Sequence, residues 1–181
     1  DASRDCQGFL MNRQKDTNAL NLFNQDSNNT SSTEYDEGVI VKHSDSVNIS
    51  GDFSICFWIK LKDKDENYNI VQKKVAWDSA GYGIFYHGTN DRWYFEYNDG
   101  SAGDGGSKQL TNSTDMVIPN ADLDTWYFLC VTHEDGEKDH QYQAKTTATS
   151  LTSTEHASAL SSVNTNSEDL TIGRGQGGAR S

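Results

Sequence analysis

The sequence predicts an all-β protein, an antiparallel β-sandwich of the jelly-roll type, and three observations carry that expectation. The segment from Phe53 to Leu61, FSICFWIKL, places Phe53, Ile55, Phe57 and Ile59 on one face and Ser54, Cys56, Trp58 and Lys60 on the other, which is the period of two that a half-buried strand shows. Further strand-length segments recur at about 8–12-residue spacing with Gly, Asn or Asp between them, the rhythm of a sandwich or barrel. Nowhere do apolar residues repeat at the helical period over ~10 residues, and HASALSSV has room for one or two helical turns at most.

Taken in order, residues 1–36 read as an irregular N-terminal segment of mixed charge with one cysteine, Cys6, and a first short strand at ALNLF; residues 25–36 are polar enough to be a surface loop. Residues 37–181 form the sandwich. GVIVKH (38–43) is a β-branched strand, SDSVNISGD a turn, and FSICFWIKL the first long strand. After the charged turn KDKDEN come YNIVQKK, YGIFYH (82–87) and RWYFEY (92–97); in the last, Trp93, Phe95 and Tyr97 oppose Arg92, Tyr94 and Glu96. NDGSAGDGGS is a glycine-rich loop. WYFLCVTHEDGE is a long strand that turns at Asp135-Gly136, and HQYQAKTT is its antiparallel partner. Residues 148–168 read as a Ser/Thr-rich loop carrying one short strand, followed by the strand DLTIG. Beyond it, Gly173-Arg174-Gly175-Gln176-Gly177-Gly178 matches G-x-G-x-x-G formally, but the three residues after Gly178 leave no room for the helix that a phosphate cradle requires. A strand running into a glycine turn is the expectation there.

Composition narrows the function. Fifteen Lys+Arg against 27 Asp+Glu give a formal charge of −12, which repels nucleic-acid phosphates and anionic membrane surfaces. No apolar run approaches the ~20 residues that span a bilayer. Its 181 residues suit one domain with a real core. The chain starts at Asp1 with no leader pattern, as expected of a processed or internal piece of a secreted precursor, and N-x-S/T sequons begin at Asn28, Asn29, Asn48 and Asn112. An extracellular location and glycosylation at these four asparagines are the expectation.

The motifs VNISGDFSICFWIKLKD, IVQKK, GYGIFYHGTNDRWYFEYNDG, DTWYFLCVTHEDGE and LTIGRGQGG, in this order and spacing, resemble the laminin-G-like and pentraxin-like domains, jelly rolls of the concanavalin A lectin type. The resemblance covers roughly residues 37 to 178 and rests on the set of motifs together. It implies several things. Cys56 and Cys130 sit where pentraxin-like domains join two strands by a disulfide, the alternative being two buried thiols; Cys6 is left over as a free thiol or an intermolecular link. Such domains follow LTIG with one more strand, absent here, so the sandwich is expected to lack its final strand. The sheet edge beside residues 169–173 is then covered by the N-terminal segment or by a neighbouring chain. The resemblance further implies a non-enzymatic, lectin-like module that binds carbohydrate or glycoprotein in adhesion. The alternative is a structural subunit of an extracellular filament or surface assembly, completed by a neighbour through the open edge or Cys6.

Site residues follow from the same reading. Glucanases of this class carry carboxylates at alternating strand positions, and no E-x-D-x-E occurs, so hydrolysis is not expected. Calcium is the candidate cofactor: Asp78 lies near the position of the family's acidic contribution, and Asp99 and Asp104 sit in the glycine loop, although RGQGGARS offers only Gln176 where calcium-binding pentraxins place their other ligands. His133, Glu134, Asp135 and His140 read as surface residues of a hairpin turn rather than metal ligands. Sugar recognition needs an exposed aromatic beside polar groups. Trp77, next to Asp78 and near Tyr82, leads the candidates; Trp58 and Tyr94 follow, on the mixed faces of their strands, whereas Trp93 and Trp126 are assigned to the core.

Overall fold

The computed structural model describes residues 38–64, 67–75, 79–98, 122–156, 159 and 161–173, with the backbone of 107–109. The strand expected at ALNLF, Cys6, Trp77, Asp78, Asp99, Asp104, Gln176 and the sequons at Asn28, Asn29 and Asn112 lie outside the described residues. Ten strands are present among those described: β1 (Val39–Val41), β2 (Phe53–Lys60), β3 (Tyr68–Lys73), β4 (Gly81–His87), β5 (Arg92–Asn98), β6 (Ser107–Gln109), β7 (Trp126–His133), β8 (His140–Lys145), β9 (Thr152–Glu155) and β10 (Leu170–Ile172). They form a six-stranded sheet in the order β1-β10-β3-β4-β5-β6 and a four-stranded sheet in the order β2-β7-β8-β9. Every pairing is antiparallel.

The core lies between the sheets. Period-two alternation turns Phe53, Ile55 and Phe57 of β2 and Val131 of β7 toward Val71, Tyr82, Ile84, Phe95 and Tyr97 of the other sheet. A second cluster, Leu61, Tyr86, Trp93, Tyr127 and Leu129, continues the same layer. Aromatic rings make contacts within and between the layers: Phe53 lies 5.1 Å from Tyr82 and 6.0 Å edge-on from Phe95, and Tyr86 lies 5.0 Å from Trp93. Trp93 is therefore core, as its strand pattern required.

The edge beside β10 is occupied from within the sandwich. β1 pairs with it, Val39 opposite Ile172 and Val41 opposite Leu170, while β3 flanks its other side. Ionic and main-chain contacts hold that pairing: Lys42 Nζ and the His43 N–H both donate to the Asp169 carboxylate, at 2.8 and 2.9 Å.

Cys56 and Cys130 are bonded. They face each other across β2 and β7 with Cα atoms 4.0 Å apart. The bridge lies on the outer face of its sheet, Cys56 exposed and Cys130 buried. It spans 74 residues of sequence, a loop whose closure stabilises by about 4 kcal/mol on the chain-entropy account.

The region 148–168 has the one short strand expected of it and long-range hydrogen bonds besides. It contains β9, and residues 163–169 then cross the end of the sandwich: Val163 N–H donates to Ser50 O at 2.9 Å and Asn164 N–H to Asn98 O at 2.7 Å. Asn166 follows, its Nδ2 donating to Lys73 O at 2.7 Å and to Ala80 O. Gly81 makes this approach feasible. Its φ is +110°, and a Cβ there would stand 1.8 Å from Lys73 O and 2.3 Å from Asn166 Nδ2, so both conformation and space exclude a side chain. Gly81→Ala is therefore expected to cost at least about 2 kcal/mol, read as a lowered urea midpoint, whereas Gly51→Ala, with nothing within 4 Å, leaves the midpoint nearly unchanged.

Candidate functional site

The register of the four-stranded sheet assembles an aromatic surface on its outer face. Ladder partners form rows: Ser54, Thr132, His140 and Glu155; then Cys56, Cys130, Tyr142 and Ser153; then Trp58, Phe128 and Ala144; then Lys60 and Trp126. Trp58 is 41% exposed and its ring is tilted against Phe128 at 5.6 Å. Lys60 Nζ lies 5.2 Å over the Trp126 ring, a cation–π contact that keeps the ammonium beside the aromatic row. His140 stacks on Tyr142 at 6.0 Å, and its Nε2 is 4.0 Å from the Glu155 carboxylate. Lys138, bonded to Glu155, holds that carboxyl below the usual carboxylate range. The face thus offers one exposed ring and several half-buried ones next to hydroxyls, an ammonium and a carboxylate, a mixture suited to a ligand with both apolar and hydrogen-bonding surfaces.

The outer face of the six-stranded sheet is polar but buried. Thr171, Gln72, Gly83 and Glu96 lie in one row, with Gln109 next in register. Glu96 and Lys74 are each 1% exposed, their charged ends 4.0 Å apart, and Gln72 is 4% exposed. Asn69, Gln72, Lys74, Gly83, Phe85 and Glu96 lie together there and leave no room for a water molecule between them.

The sequence candidates separate accordingly. Trp58 alone of the described aromatics among them stands at the surface. Tyr94 is 8% exposed, stacks on Phe85 at 4.8 Å and accepts a hydrogen bond from Asn90 Nδ2 at 2.8 Å; it belongs to the opposite outer face from Trp58, so the two cannot serve one site. Tyr82 is a core residue, 4% exposed, its hydroxyl donating to Val47 O at 3.0 Å. Asn48 uses its side-chain oxygen to accept the Asn166 N–H at 3.1 Å. Among the described residues, no three His, Cys, Asp or Glu side chains group as metal ligands.

Two assignments are corrected. Trp126, expected in the core, is half-buried on the outer face, because alternation along β7 sets it on the side of Phe128 and Cys130, opposite Tyr127, Leu129 and Val131. His133, expected at a surface turn, is fully buried, its Nδ1 2.8 Å from the equally buried Asp139 Oδ1. The same alternation carries it inward, against Phe53 at 5.3 Å and Tyr97 at 4.9 Å. Enclosed by rings, this pair has no route to a substrate; it closes the β7–β8 hairpin from inside.

Two measurements follow from these positions. Burial raises the Tyr82 hydroxyl from 10.0 to about 12. A folded-state value above the unfolded one means the contribution is intact below pH 10 and is lost as pH rises through 12, about 2.7 kcal/mol for two units; Tyr82→Phe removes that part of the alkaline loss in urea titrations between pH 9 and 12. Asp139→Ala strands a buried imidazole and lowers stability by about 1–3 kcal/mol, while Glu155→Ala, at the exposed contact with Lys138, leaves the unfolding midpoint nearly unchanged.

Comparison with known proteins gives the family. The model of the "Concanavalin A-like lectin/glucanases superfamily" matches residues 32–181. Among solved structures, the binding domain of Paraclostridial Mosquitocidal Protein 1 is similar at a TM-score of 0.53 and 21% identity, over 82% of this chain and 35% of that one. The binding domain of botulinum neurotoxin serotype G is similar at a TM-score of 0.48 and 14% identity, over 75% of this chain and 32% of that one. The chain spans about a third of the length of each of these two chains, and at 21% identity the likeness to the first is one of fold. No curated protein sequence matches.

Proposed function

Because the chain belongs to the concanavalin A-like lectin/glucanase superfamily, we propose that it is a non-enzymatic binding module that recognises carbohydrate, free or on a glycoprotein, in an extracellular setting. The observation that carries this reading is the outer face of β2-β7-β8-β9, where Trp58 stands exposed beside Phe128 and Trp126. A ring exposed on a rigid sheet presents a flat apolar surface to the C–H face of a sugar, and Lys60, Thr132, His140 and Glu155 on the same face can meet hydroxyls. Ladder pairing holds Trp58 at the surface with the half-buried Phe128 and Trp126 beside it, and the Cys56–Cys130 disulfide ties the neighbouring row. The disulfide supports an oxidising compartment.

A glycan array followed by calorimetry on its hits tests the reading. Selective signals are expected, with Trp58→Ala weakening the best ligand about tenfold or more, the worth of one lost stacking contact, and Tyr82→Phe leaving affinity unchanged. Trp77→Ala and Asp78→Ala report whether these two residues contribute. A blank array, together with ordered oligomers in light scattering, would support the assembly-subunit reading in its place.

A further inference from the structure

Lys73, the last residue of β3, is 1% exposed and turns its side chain toward the segment that crosses the end of the sandwich. Four acceptors surround its Nζ: Asn166 Oδ1 at 3.1 Å, Asn166 O at 3.4 Å, Glu168 O, and His43 Nδ1 at 3.2 Å. An ammonium has three N–H groups and no acceptor, so its whole polar surface can be met here. The acceptors are mostly neutral carbonyl oxygens, the donor type that also holds hard cations.

The oxygen cluster is itself well ordered. Asn166 donates through Nδ2 to Lys73 O and Ala80 O, which turns Oδ1 toward both the Glu168 N–H, at 2.9 Å, and the Lys73 ammonium. Its own N–H donates to Asn48 Oδ1 at 3.1 Å. The carboxylates of Glu168 and Asp169 act on Lys73 electrostatically and favour its charge, against a larger desolvation that lowers its pKa from the usual 10.5. Burying an amine is costly unless its charge is met, and here the surroundings meet it from four sides.

We propose that the carbonyl and carboxamide oxygens of Asn166 and Glu168 form a cation site whose ligand class is a primary ammonium, and that Lys73 fills it as a built-in cation holding residues 163–169 in their course. This role is independent of the glycan reading. It makes order at this end of the sandwich depend on an ammonium carried by the chain itself.

Lys73→Ala and Lys73→Met are compared with the native protein by thermal melting at pH 7 and fixed ionic strength, in propylammonium, tetramethylammonium or propanol. Both variants are expected to melt lower; propylammonium restores at least half of the lost Tm to Lys73→Ala, tetramethylammonium and propanol restore little, and Lys73→Met responds to none. Equal stability of Lys73→Met and native protein, or recovery in propanol matching that in propylammonium, would overturn the proposal. Should Lys73→Ala not fold, nitrogen-detected magnetic resonance of the native protein decides: a charged Lys73 ammonium with slow proton exchange at pH 7 supports the site, and a neutral amine, or one exchanging like exposed lysines, refutes it.

Discussion

The carboxamide of Asn166 is the interaction on which the rest of the arrangement depends. A single side chain donates to Lys73 O at the end of β3 and to Ala80 O before β4, while accepting from Glu168 N–H. It thereby fixes the separation of β3 and β4 at their β10 end and the approach of the chain to β10. Gly81 is glycine because this carboxamide and Lys73 O occupy the space of its Cβ. Lys73 can bury its ammonium only because the same residue offers two of the four acceptors. The strand order β1-β10-β3 follows, since the segment delivered past Asn166 is the one that enters the sheet between two strands far from it in sequence.

That closure leaves the two sheets with different outer faces. The six-stranded sheet buries polar groups on its outer side, including Lys74 and Glu96, whose charged ends lie 4.0 Å apart. The four-stranded sheet keeps its outer side open and aromatic. The core between them is the common support. Phe53 and Ile55 in β2 pack inward, and the pleat then directs Ser54, Cys56 and Trp58 outward. The exposed position of Trp58 is thus a consequence of core packing, and a slip of β2 by one residue would exchange the two sets.

Alternation made most of the fold legible. β2, β4, β5, β7 and β8 lie close to where period two and the turn residues placed them, and the β7–β8 hairpin turns at Asp135-Gly136. The same rule, carried one residue further in each direction along β7, would also have placed Trp126 outside and His133 inside. The Ser/Thr-rich stretch before β10 was less legible because its order comes from long-range hydrogen bonds, such as Val163 N–H to Ser50 O, that no local pattern signals. Of the candidate site, Trp58 could be read from its strand, but its partners Phe128 and Tyr142 could not be joined to it, since they lie on strands 70 or more residues away along the chain.

The sequence by itself determined the class of fold and the faces of the long strands, because side-chain period and strand content are local properties of the chain. Tertiary structure decided which sheet each strand joined, that β1 rather than another segment lies beside β10, and which of two mixed faces stayed open. Tyr94 and Trp58 illustrate the difference: both occupy the less apolar side of an alternating strand, yet one is 8% and the other 41% exposed. Alternation divides a strand into two faces, but burial depends on what the rest of the chain lays over each, and that is settled only when distant segments come together.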